Sequence, residues 1–240
     1  MPQKLTTMIS KSAIAFLVLV LLIVTVTSFG FQERKSAPKF DDSQYPVYDE
    51  NNPRIPTTEE ERTKHERKAK RFRGDIPLVS RPDFEVVAGS YEWPQDFSPL
   101  PVCESTSIIL GRVTHAEANL SDDRLAVYSD FIIQSVEAFR STDGLTQDSS
   151  LTATRYGGKI KFQDGHTLLV FQSGLGMPRV GRQYLFFLKK TDADFEIITA
   201  YEIKQGQVIP LDSGTSVFKP YANLSESALI QQVRQKIESL

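Results

Sequence analysis

Three histidines, one cysteine and a few paired acids are the residues of this 240-residue chain whose types could do group chemistry. His65, His115 and His166 show no His-Glu-x-x-His spacing and have no cysteine beside them. A zinc site would therefore need ligands converging from scattered elements. Cys103 with His115 or His166 would make a thiolate pair only if the fold joined them; otherwise a lone cysteine before an apolar strand serves as a small hydrophobe. Gln172-Ser173-Gly174-Leu175-Gly176 lacks the first glycine of a nucleophile elbow and reads as a flexible loop. Asp122-Asp123 and the pair Asp192 and Asp194 are turn acids that cap backbone amides, too sparse in oxygen ligands for a calcium loop. Asn119-Leu120-Ser121 and Asn223-Leu224-Ser225 match glycosylation sequons, which matter only in a compartment with the machinery. On these grounds no residue is assigned a catalytic, metal-ligating or cofactor-binding role, and no cofactor is implied.

The elements that would position such residues divide the chain into four parts. Residues 1–11 are a short basic tail without acids, and residues 12–31, SAIAFLVLVLLIVTVTSFGF, carry no charge. A helix of that length rises far enough to span a hydrocarbon core of about 30 Å. Because the run exceeds the apolar stretch of a cleaved signal, a single-pass signal-anchor is expected, with the rest of the chain extracytoplasmic. Lysines and arginines are nearly balanced across the two flanks, so the orientation rests on the signal-like start.

Residues 32–75 lose most large apolar side chains and read as a charged, largely disordered linker. Within it residues 58–73 form a helical spacer: Glu59, Glu60 and Glu61 open it, bases close it, and Glu60 faces Lys64 across one turn. Only Ala69 and Phe72 are apolar there, so the spacer is expected to stay solvated. Its basic run could alternatively lie on anionic lipid if the anchor were inverted. The net charge of -2 gives no global pull toward nucleic acid, and no aromatic platform for single strands accompanies the basic run. One cysteine excludes an intramolecular disulfide, so the folded part rests on its own core.

Residues 76–240 form that folded part. Prolines at 77, 82, 94, 99 and 101 keep its start extended. Strand patterns follow over 107–114, 128–139, 151–156, 159–162, 167–171, 182–190, 195–204 and 207–211. A bulge near Gln134-Ser135 would bring Val136 and Ala138 to the same core as Phe131 and Ile133. Asp164-Gly165 marks a hairpin, and Tyr184 to Leu188 is apolar on both faces, as in a doubly covered strand. In 195–204 the odd-numbered residues share one face. Asn223 or Ser225 caps a last helix whose Leu229, Val233 and Ile237 need a partner. The fold class is mainly β, a small antiparallel OB-like barrel or sandwich with a C-terminal amphipathic helix.

The order of Cys103, the strand Ile108-Ile109-Leu110-Gly111-Arg112-Val113, the strand over 128–139 and Gly181-Arg182-Gln183-Tyr184-Leu185-Phe186 resembles the netrin-like module, also found in tissue inhibitors of metalloproteinases. The resemblance covers residues 103–188 and implies an OB-type barrel. It does not carry over inhibition, because those inhibitors present an N-terminal cysteine amine and Cys103 is internal. The expected function is a membrane-anchored, non-enzymatic binding or structural module. Its expected ligand is a protein or glycan held by the loops over 119–124, 141–150 and 173–180. The alternatives are a regulator of an extracytoplasmic protease, and a hydrolase uniting at least two of Cys103, His115, His166 and nearby acids.

Overall fold

The computed structural model describes residues 42–240 apart from 73, 75, 76, 82, 84 and 143. The expected anchor over 12–31 lies outside the described residues. Among those described, no helix is long and apolar enough to cross a membrane.

The described chain is mainly β. Its strands are β1 (Val47–Asp49), β2 (Val86–Ser90), β3 (Ser107–Leu120), β4 (Val127–Ser141) and β5 (Ser150–Tyr156). They continue with β6 (Gly158–Lys161), β7 (Thr167–Ser173), β8 (Gln183–Lys190), β9 (Phe195–Lys204) and β10 (Gln207–Pro210). Helix α1 (Glu59–Arg71) precedes β2, and α2 (Glu226–Glu238) ends the chain. Five strands pair in a closed ring, β3-β4-β5-β9-β8 and back to β3, in which only β5 and β9 run parallel. A second sheet, β1-β6-β7-β2, has an antiparallel hairpin at its centre and a parallel strand on each edge. The chain passes from ring to second sheet at Gly157, where φ is +105° and an added Cβ would lie 2.8 Å from Met177 Cε.

Closure of the ring explains the apolar alternation. Ile109, Val113, Phe131, Ile133, Tyr184, Phe186, Leu188 and Phe195 fill its interior. The opposite face of β8, Leu185 and Phe187, meets Tyr201, Phe218 and the Leu229 and Val233 stripe of α2. So β8 is covered on both sides and the last helix has its partner. Ser225 caps α2 by accepting from Ala228 N at 3.2 Å. Asp164-Gly165 turns the β6–β7 hairpin, with Gly165 at φ +89°.

Three local expectations need correction. The bulge lies where β4 skips Val136 between Ser135 and Glu137, but it leaves Val136 40% exposed while Ala138 reaches the ring core. An unpaired residue in a bulge need not turn inward. In β9 a second irregularity skips Ile198, so Phe195, Ile197 and Ala200 face the ring interior while Tyr201 faces α2. A strict period of two therefore fails midway through that strand. The third correction concerns the linker. β1 adds in parallel to β6, Tyr45 sits in the ring core, and α1 buries Lys68 and Ala69 with Phe72 just beyond it. Backbone pairing along a sheet edge and neutralisation of one lysine replace the apolar surface that this segment lacks.

Six of the eight tyrosines have phenols pushed above their ordinary value, in each case mainly by burial. Tyr184 is pushed up to about 12, and Tyr201 also donates to Pro99 O at 2.7 Å. An unfolded tyrosine ionises near about 10, so the fold favours the neutral phenol. That contribution is complete below the unfolded value and is lost as pH rises through the folded values. The expected result is a tyrosinate absorbance that lags the same chain in denaturant, with unfolding free energy falling above about pH 10. Coincident titration curves would contradict this burial.

Candidate functional site

Helix α1 lies across the outside of the long β3–β4 hairpin and is held at two turns. At the β3–β4 turn, Asp122 N donates to Ala69 O at 3.4 Å. At the β8–β9 turn, Arg67 Nη1 donates to Asp192 O at 2.9 Å. Both turns are braced by side-chain hydrogen bonds: Ser121 Oγ accepts from Leu125 N and Ala126 N, and Thr191 Oγ1 accepts from Asp194 N. The helix forms here because Thr58 caps it, accepting from Glu61 N at 3.1 Å, and because Glu60 pairs with Lys64 at 2.8 Å.

Between the turns, Lys68 projects into the sheet. Its Nζ lies 2.9 Å from Asp130 Oδ2 on β4 and 2.7 Å from Asp194 Oδ2, and Lys68 is only 4% exposed. Asp130 Oδ1 accepts from Thr154 Oγ1 at 2.6 Å, and Asn119 Nδ2 approaches Oδ2 at 3.4 Å. One turn further, Phe72 stacks on Tyr128 with ring centroids 4.9 Å apart and planes 13° apart. Tyr128 OH lies 3.2 Å from His65 Nδ1, and burial together with the Asp130 charge raises its phenol well above the ordinary value.

A cleft of about 230 Å³ remains beside this contact. Its two walls differ in charge. The β ring supplies Glu117, Asn119, Asp130, Ile132, Thr152 and Asp194, three acids and no base. The covering segment supplies Arg54, Pro56, Glu61, Lys64, His65 and Lys68, mostly basic. Arg54 pairs with Glu117 across the rim, and His115 Nε2 stands 3.8 Å from the same carboxylate. Such a site can hold a charged group. It lacks the pattern of a nucleophile beside its base: the hydroxyl meeting His65 is a phenol whose proton is held tightly, and Lys68 is balanced by two carboxylates.

The other candidates do not line the cleft, although His115 stands beside its rim at Glu117. Cys103 is exposed before β3, His115 is on β3, and His166 stands in the β6–β7 turn 3.2 Å from Asp164. Among the described residues no hydrogen bond joins any two of these three, and no group of three His, Cys, Asp or Glu is placed to hold a metal ion. Asn119 is buried in β3 and engaged with Asp130, whereas Asn223 is exposed before α2. Of the three loops expected to carry recognition, only the first reaches the cleft, through Asn119. The residues 174–182 instead brace the core: Gly176 N donates to Asp212 Oδ1, and Met177 is buried. Lys68 and Asp130 escaped sequence reasoning, and Asp194, expected to cap backbone amides in its turn, instead pairs with Lys68 while Thr191 Oγ1 does the capping. The available signal was Asp130, an acid in the middle of an apolar strand, which requires a partner when buried.

No family model, no curated protein and no solved structure matches this chain.

Proposed function

We propose that this chain is a membrane-tethered, non-enzymatic binding module of the OB type, and that its ligand face is the one beneath α1. The observation that carries the reading is the placement of the cleft on β3, β4 and β5 between the β3–β4 and β8–β9 turns. These are the first three strands, and the first and fourth turns, of the five-stranded ring. In OB barrels the face of the second and third strands, with those turns, binds extended polymers. The ring order, with third and fifth strands parallel, supports the same assignment, and the resemblance to the netrin-like module stands within this proposal. The tether comes from the uncharged run over 12–31, and an extracytoplasmic position from its signal-like start.

Hydroxyl-radical footprinting of the full chain tests the binding face. The ring-wall side chain Ile132 is expected to be labelled less in native membranes than in the purified, detergent-solubilised chain. Equal labelling at Ile132, or protection confined to the outer face of α2, would remove the assignment. Protease accessibility in intact against lysed cells tests the tether, with loss of the α2 epitope expected before lysis.

A further inference from the structure

We infer that α1 is a displaceable stand-in for the ligand, and that the ligand is a basic helical segment of a partner polypeptide carrying a lysine with an aromatic residue four positions on. This inference rests on the binding face proposed above and names what it takes.

The ring wall of the cleft sets the charge of the occupant. With α1 lifted, Asp130 and Asp194 stand together without Lys68 between them, Asp122 and Asp192 stand on the two flanking turns, and Glu117 stays paired with Arg54, which precedes α1. A phosphate-bearing strand would be repelled by the four aspartates; an ammonium is what the face already holds. The position of Lys68 between two carboxylates gives the geometry of recognition, and Phe72 on Tyr128 gives the second anchor. Lys68 and Phe72 are four residues apart and so project from one side of a helix. A partner presenting the same pair would satisfy both contacts at once.

The attachment of α1 is of the kind that yields. Lys68 and Ala69 are its buried residues, with Phe72 following. At 13 residues it lies near the length at which an isolated helix is marginal in water. The Lys68 triad adds register rather than strength, because lifting the helix hydrates the ammonium and both carboxylates together and leaves no charge stranded. Release also hydrates Arg71, whose three guanidinium nitrogens are buried with no hydrogen-bond partner among the described residues while the group lies over Phe72. Segments that open locally are drawn from such sparsely packed elements.

The test uses the full chain in nanodiscs, as the parent and as Lys68→Glu, which sets a third carboxylate against Asp130 and Asp194. Amide hydrogen exchange of 59–71 is read against that of β3 to β9. Binding is read with a helical peptide bearing lysine and phenylalanine four apart, its lysine-to-glutamate counterpart, oligothymidylate and a neutral oligosaccharide. In Lys68→Glu, α1 is expected to lose protection while the ring keeps it. The lysine peptide should then bind at least about tenfold tighter than to the parent, because the competent state is no longer a minor one. Phe72→Ala, which adds no charge, should move both readings in the same direction and serves if Lys68→Glu fails to fold. Protection of α1 in both variants with unchanged affinity overturns the inference. So does equal binding of lysine and glutamate peptides, or binding of only the nucleotide or sugar probe, and in those cases the binding face stands. An open variant that takes none of the four probes overturns the binding face as well.

Discussion

Asp212→Ala is expected to destabilise the fold by about 3–5 kcal/mol, the cost typical of stranding one member of a buried ion pair. Asp212 follows β10 and is fully buried, with Oδ1 2.6 Å from Arg155 Nη2 on β5 and 2.9 Å from Gly176 N. Its Oδ2 accepts from Thr199 Oγ1 on β9 at 2.7 Å. One carboxylate thus ties together two ring strands, the loop after β7 and the chain leaving β10. The loop can approach because residue 176 is glycine, where an added Cβ would lie 2.1 Å from Leu211 O. Arg155 is 3% exposed, and among the described residues its Nε and Nη1 already lack partners, so none of these takes over the charge when Asp212 is removed. Denaturant titration checks the magnitude, and a double variant of Arg155→Met with Asp212→Leu separates the causes. If the stranded charge dominates, the double variant recovers much of the loss. If the bonds to Gly176 and Thr199 dominate, it does not. A loss below about 1 kcal/mol for Asp212→Ala would mean that water reaches Arg155 in solution.

Phe218→Ala should cost about 3–5 kcal/mol as a large-to-small change in a closed core. Phe218 is fully buried in a short 3-10 helix and touches two aromatic rings edge-on: Trp93 at 4.9 Å and Tyr201 at 6.1 Å between centroids. It fills the space between the extended segment before β3 and α2, whose Leu229 and Val233 belong to the same cluster. Trp93 is the only tryptophan and is anchored by Nε1 donating to Phe97 O at 2.9 Å. Its fluorescence therefore reports on this layer alone. The expected signature is a red-shifted emission maximum with the thermal midpoint lowered, while the far-UV signal of the ring strands persists at low temperature. An unchanged emission maximum would show that the layer closes over the cavity.

Both effects belong to contacts that no reading of single segments could supply. The strands themselves were legible because Val, Ile, Phe and Tyr alternate along them, and the hairpin at Asp164-Gly165 because positive φ there favours glycine. The double coverage of Tyr184 to Leu188 was legible for the same reason: an apolar run on two faces needs two partners. The bulge near Ser135 was legible from Phe131, Ile133 and Ala138, but the outward turn of Val136 and the slip at Ile198 were not, since a bulge depends on the register of the neighbouring strand as much as on its own residues. The docking of α1 was hidden because Ala69 and Phe72 are too few to form an apolar stripe. The contact is made by Lys68, whose partners lie on β4 and in a turn far along the chain.

By itself the sequence determined the type of most elements, a helix start near residue 58, a cap at Asn223 or Ser225, the uncharged run over 12–31 and the lack of a spaced metal or nucleophile motif. These follow from local rules, in which a residue's neighbours along the chain decide its preference. Only the tertiary structure decided that the strands close into a ring, that β1 and α1 join it, and that Lys68 meets Asp130 and Asp194 while Arg155 meets Asp212. Charges and sheet edges find their partners through space, and the stability of those pairings depends on burial and register that no single segment encodes.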